Sequence, residues 1–186
     1  MKARNKIIIF LIVFGISLFG IVEGVIIPKM DKSNKQYLEN QQDPLFHDIE
    51  SVLKYKNKYM GDASNISNLF YKLPLSNIER KFELFPNELR AEVSYRTTVL
   101  EIGEEKVKKS LIYNSTVAFA LIDNIEAINF NFTGESYKVL RKDIEKWYKA
   151  QLSSLTEKDT WNKLVQNKLS DNEYVREFER TILQKE

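Results

Sequence analysis

The chain has 186 residues, with 28 basic and 26 acidic side chains, one histidine and no cysteine. Setting aside Lys2, Arg4, Lys6 and Glu23 of the first 28 residues leaves 25 charges of each sign, so the rest of the chain is formally neutral. The absence of cysteine excludes disulfide stapling and thiol chemistry. Neutrality removes the basic surface a nucleic-acid partner requires, and His47 alone cannot build a zinc site that needs several nitrogen or sulfur ligands.

Lys2, Arg4 and Lys6 lead into Ile7–Ile27, a run whose only charge is Glu23. At a rise of ~1.5 Å per residue such a helix covers roughly the 30 Å hydrocarbon core of a bilayer. The unbroken apolar run Ile7–Val22 exceeds the ~7–15 residues of a cleavable signal peptide. The triplets near Gly20 and Gly24 place Val22 or Glu23 at poor cleavage positions, and there is no cysteine to lipidate. An uncleaved signal-anchor is expected, with cleavage as the competing reading. Positive charge ahead of the span favours an inward N-terminus. The expected organisation is a cytoplasmic segment 1–6, a transmembrane helix 7–27, a polar linker 28–43 and an extracytoplasmic domain 44–186.

Asp43-Pro44 reads as a helix start, with Leu45, Ile49, Val52 and Leu53 on one face and His47 on the wet side. Gly61-Asp62 breaks the chain, and Ser64 opens a helix bearing Ile66, Leu69, Phe70 and Leu73, stopped by Pro74. The period then changes to two. Phe82 and Leu84, a turn at Pro86-Asn87, then Ala91, Val93 and Tyr95 form a hairpin with one wet face. Residues 101–110 read as a charged loop.

Leu111–Ile122 is apolar for too long to be a strand and is expected to be a buried central helix ending at Asp123-Asn124. Ile128, Phe130 and Phe132, a turn at Thr133-Gly134, then Tyr137 and Val139 form a second hairpin. Three helices follow. Leu140, Ile144, Trp147 and Tyr148 mark the first; Trp161, Leu164, Val165 and Leu169 the second, after a capping box Ser154–Glu157. Tyr174, Phe178 and Ile182 mark the third, after a box Ser170–Glu173. The fold class is α+β around an antiparallel sheet of two hairpins. Phe119→Ala is expected to cost more stability than Trp161→Ala, whose helix reads as peripheral.

Six glycines form no phosphate-binding loop. The carboxylate pairs Asp123/Glu126 and Asp143/Glu145 read as solvated surface, and the tryptophans as packing residues. No catalytic, cofactor-binding or metal-binding residue is expected.

The segments Tyr55-Lys56, Tyr59-Met60-Gly61-Asp62-Ala63-Ser64, Leu73-Pro74 and Phe119-Ala120-Leu121-Ile122-Asp123-Asn124-Ile125, with Arg141 opening a helix, resemble a bacterial family known as domain of unknown function 4825. The likeness covers roughly residues 52–150. Met60 stands where the family commonly has valine, and Phe85-Pro86-Asn87-Glu88 replaces its glycine-bearing turn. The resemblance implies a membrane-anchored, extracytoplasmic, non-catalytic module of Gram-positive bacteria, a domain also attached to BlaR-like membrane metallopeptidases, whose His-Glu-x-x-His motif this chain lacks. Element order is also similar to the small domain of sporulation and germination lipoproteins.

The matching residues Tyr59, Gly61, Asp62, Ser64, Pro74, Phe119, Asn124 and Arg141 read as structural. Gly61 would allow a positive φ, Asp62 or Ser64 would cap the next helix, and Asn124 suits a left-handed helix end. Arg141 is expected to meet a carboxylate or an anion. The functional expectation is a cell-envelope binding or sensing module, with the membrane and an envelope ligand as partners. The alternative is an accessory subunit pairing with a larger membrane protein through its span, where Gly20 and Gly24 have close-packing spacing.

Overall fold

The computed structural model describes residues 3–185; Lys2, one of the three leading bases, and Glu186 lie outside the described residues. The chain divides into two compact units between Glu39 and Asn40.

The first unit is one long helix in three parts: α1 (Ala3–Ile21), a π turn (Val22–Ile26) and α2 (Ile27–Asn40). The polar linker is helical as far as Asn40. Pro28 lacks an N–H and its ring collides with the carbonyl four residues back in a regular helix. The π turn just before it, closed by the Ile27 N–H donating to the Val22 carbonyl, widens the helix and lets it continue. The large apolar side chains from Ile7 to Ile27 are exposed within the chain, among them Ile16 at 67% and Phe10 at 66%.

In the second unit, Asp43-Pro44 makes a turn instead of a helix start. The Asp43 side chain accepts from the Leu45 N–H and its carbonyl from the His47 N–H, which closes the turn on itself. A 3-10 helix (Ile49–Tyr55) follows. Then come α3 (Ala63–Phe70), capped by Asp62, and the hairpin of β1 (Arg80–Phe85) and β2 (Arg90–Tyr95). Leu89 takes the left-handed conformation (φ 48°) that closes this glycine-free turn. α4 (Val99–Ile102) and α5 (Glu104–Leu121) precede β3 (Ala127–Phe132) and β4 (Glu135–Leu140), joined through Gly134 at φ 92°.

Residues 101–110 are thus mostly helix. Thr98 and Glu101 form a capping box, and the charges of the next turns pair along the helix, Lys108 with Glu104 at 3.1 Å and Lys109 with Glu105 at 3.3 Å. From Ser110 to Leu121 every residue of α5 is buried, so this helix is covered all round as its apolar composition requires.

The sheet has five strands in the order β1-β2-β3-β4-β5, with β5 (Gln184–Lys185) contributing two residues. Both hairpins form as expected, but the sheet is mixed. β2 and β3 run parallel, Val93 beside Phe130, because α4 and α5 carry the chain back to the starting end of β2. The inner face presents Ala91, Val93, Tyr95, Ile128, Phe130, Phe132, Tyr137 and Val139 to one continuous core shared with α3, α5 and the C-terminal segments.

The C-terminal part is more broken than three helices. α6 (Arg141–Tyr148) is followed by a 3-10 turn (Leu152–Thr156), α7 (Lys158–Trp161), a π turn (Asn162–Gln166), a second 3-10 turn (Asn167–Ser170) and α8 (Asn172–Ile182). Neither expected capping box forms. Glu157 itself caps α7, and Asp171 caps α8, while Ser154 and Ser170 bond backward to the carbonyls of Gln151 and Asn167. Trp161 is fully buried, edge-on to Tyr113 at 5.2 Å, and so belongs to the centre of the core, not its periphery.

Candidate functional site

Residues far apart in sequence meet at the C-terminal end of α5. Asn57 bridges to the chain there: its N–H donates to the Leu121 carbonyl (2.8 Å) and its carbonyl accepts from the Asp123 N–H (3.0 Å). The Asn124 Oδ1 accepts from the Met60 N–H at 2.6 Å, which fixes the loop carrying Tyr59 and Gly61. Asp62 accepts from the Asn65 N–H to start α3 and from the Asn57 side chain. Arg141 donates to the carbonyls of Ile125 (2.6 Å) and Ile122, with its guanidinium 5.3 Å from the centre of the Phe119 ring. Both carbonyls lie just past the end of α5, in the loop that leads to β3.

Two expectations fall here. Gly61 does not adopt a positive φ, and Asn124 is not in the left-handed region; among the described residues positive φ falls at Leu75, Leu89, Lys149, Gly103 and Gly134. Asn124 acts instead by tying two loops together through its side chain. Ser64 sits exposed within α3, and Tyr59 is exposed beside the knot. The Pro74 carbonyl accepts from the Asn114 side chain of α5 at 2.8 Å. Arg141 also meets two carboxylates, Glu126 (3.9 Å) and Glu145 (3.6 Å), although its shortest contacts are with carbonyls.

His47 is buried, contrary to its expected surface position. Its Nδ1 lies 2.8 Å from the Tyr113 hydroxyl and its Nε2 3.0 Å from the Lys72 carbonyl. The Lys72 carbonyl requires the proton on Nε2, so Nδ1 accepts from Tyr113. Burial lowers the His47 pKa from its ordinary value and raises that of the Tyr113 hydroxyl. The cluster is sealed by Trp161 and is an internal brace. No sequence periodicity signalled it, because the segment's turn removes the helical register that placed His47 on the wet side.

The other face of the sheet carries the polar groups that the core does not use. On β2, Arg90 donates to Glu88 (2.8 Å) and Glu92 (2.7 Å), and its guanidinium stacks 3.9 Å from the Phe85 ring centre. The Asn131 amide on β3 donates to Glu92 (2.9 Å) and to the Ser94 hydroxyl (3.2 Å). Asn129, between Glu92 and Lys138 in the register, has a buried Oδ1 with no hydrogen-bond partner among the described residues. A concavity of about 340 Å³ opens beside them, lined by Arg90, Glu126, Lys138 and Lys142 among others. Charges of both signs, held in place by each other, suit recognition of a polar ligand. Among the described residues no group of three or more His, Asp or Glu side chains is placed to hold a metal.

The architecture defines a two-part protein: a long apolar helix with no cover of its own, and a small α+β domain with one face of its sheet left open. Residues 52–142 match the family described as Domain of unknown function (DUF4825). The match runs from the 3-10 helix to the start of α6 and so contains the whole knot around α5 and four of the strands. No curated protein and no solved structure matches the chain.

Proposed function

We propose that this protein is a single-pass, membrane-anchored module of the cell envelope, whose domain at residues 44–186 lies outside the cytoplasm and works by binding. The helix Ile7–Asn40, 34 residues with none of its most apolar window buried, carries this reading. Such a surface is unfavourable in water by about 25 cal/mol per Å², and a bilayer removes it. Lys2, Arg4 and Lys6 ahead of the span favour an inward N-terminus. The open sheet face around Arg90, Glu92, Asn129 and Asn131 is the binding surface in this reading, and its ligand is a polar component of the envelope.

A reporter active only outside the cytoplasm, fused after Glu186, should be active, and a cytoplasm-only reporter at the same point silent. The reverse pattern overturns the topology. Hydrolysis of a wall glycan, peptide or ester by the purified protein, abolished by one substitution, overturns the binding role.

A second reading is an accessory subunit that pairs with a larger membrane protein, including a membrane peptidase. Gly20 and Gly24 support it: a side chain added at either would meet nothing within 4 Å, which leaves the helix backbone open to a neighbouring helix. Exchange of Ile7–Ile27 for an unrelated span separates the two, since a simple anchor tolerates it and a pairing helix does not.

A further inference from the structure

We propose that β1 is an interface for a second copy of this chain, the two β1 strands pairing antiparallel about Phe82 to join their sheets edge to edge. Among the described residues β1 is paired only with β2, so one side of it is an open edge. The phase of that edge follows from the Arg96 N–H donating to the Glu79 carbonyl at 3.0 Å, which extends the register Arg80 to Tyr95 by one pair. Bonded pairs alternate along an antiparallel ladder, so Lys81, Glu83 and Phe85 turn their backbone groups toward β2. Arg80, Phe82 and Leu84 turn theirs outward. Among the described residues no other segment bonds to the backbone of those three. Pro86, next in the outward phase, has no N–H to give and ends the available edge at Leu84.

A two-fold axis normal to the sheet keeps both inner faces on one side, so residues of like parity must face each other. Three registers satisfy this over the middle of the strand. Centring on Lys81 sets Lys81 against its own copy, and centring on Glu83 sets two glutamates together. Centring on Phe82 places Lys81 opposite Glu83 of the second copy, twice by symmetry, at the unbonded positions where side chains approach most closely. The same register brings the outward backbone groups of Arg80, Phe82 and Leu84 onto one another. Charge selects one arrangement of the three, and it is the one that engages all three outward residues.

The apolar layer points the same way. Phe82 and Leu84 on β1 are only partly buried, whereas the apolar inner-face residues of β2 and β3 are buried. Phe82 already packs on Phe70 at 5.1 Å, and its copy across the axis would cover the exposed part. Lys81 and Glu83, which now pair within the strand at 3.0 Å, keep charge on the outer side and exclude other registers.

The test uses the full chain in detergent micelles, with mass measured by sedimentation. The parent should be a dimer. Lys81→Glu should raise its dissociation constant roughly tenfold or more, and adding Glu83→Lys to that variant should restore the parent value. The chain has no cysteine, so Phe82→Cys should cross-link to its own copy on mild oxidation, because bonded antiparallel pairs lie about 5.5 Å apart between Cα atoms, within disulfide range. Thr133→Cys, at the β3–β4 turn, should not. A monomeric parent overturns the proposal, as does a dimer indifferent to Lys81→Glu or equal cross-linking by the two cysteine variants.

Discussion

Trp161→Ala tests the centre of the core. The indole is fully buried and meets Tyr113 edge-on at 5.2 Å and 89°, and Tyr113 in turn holds His47. Removing a buried aromatic side chain costs about 3–5 kcal/mol through lost contact and the cavity left behind. Its Nε1 has no hydrogen-bond partner among the described residues. Deleting that orphaned donor returns about 1–3 kcal/mol, so the net loss should be smaller, centred on about 2 kcal/mol. Phe119→Ala has no such offset and should lose the full ~3–5 kcal/mol. Trp161→Phe keeps most of the contact and drops the orphan, so it should stay within ~1 kcal/mol of the parent. Urea denaturation of residues 40–186, followed by far-UV circular dichroism with the slopes compared, measures all three. The core begins at Ile49, which justifies the fragment. A Trp161→Ala midpoint equal to the parent's would refute the assignment.

Arg141→Ala should destabilise the domain by about 1.5–3 kcal/mol and speed amide exchange around Met60 and Ile125, while Arg141→Lys should fail to restore it because lysine cannot span both carbonyls with a planar fork. Burial lowers the His47 pKa below its ordinary 6.5, so the unfolded chain takes up a proton there before the folded one does. Stability from this group is complete above pH 6.5 and declines as pH falls toward the lowered value; pH-dependent melting should show that loss, and His47→Gln should remove it from the difference curve. Gly134→Ala, at φ 92°, should cost about 1 kcal/mol or more, whereas Gly61→Ala, with open surroundings and no positive φ, should be nearly neutral in the same assay.

The strands were legible because half-buried antiparallel segments write their wet and dry faces in alternation. Ala91, Val93 and Tyr95 against Glu92 and Ser94 leave one assignment. The Asp62 cap was legible for a similar reason, a local bond with a fixed offset. The parallel seam was not, since periodicity reports which face a residue takes and says nothing of which strand lies alongside. Lys106, Lys108 and Lys109 hid the first turns of α5, because charge runs look alike in a loop and on a helix that pairs them. His47 and Asn124 were misplaced by their loops: both act on segments distant in sequence, the one on Tyr113 and the other on Met60. Pro28 does not end the long helix, because the π turn before it widens the backbone.

The parallel join of β2 to β3 also sets the order in which the domain can assemble. Each hairpin closes on a short turn and can form within microseconds, without help from the other. Their union cannot, because the seam from Arg90–Ala127 to Ser94–Asn131 requires the intervening α4 and α5 to fold back across the sheet first. That closure carries the largest loop-entropy cost expected in the sheet's assembly. Until it is passed, the chain carries two sticky, unjoined hairpins and an apolar helix with nothing over it. The apolar composition of α5 therefore bears on the kinetics of assembly as well as on the finished core.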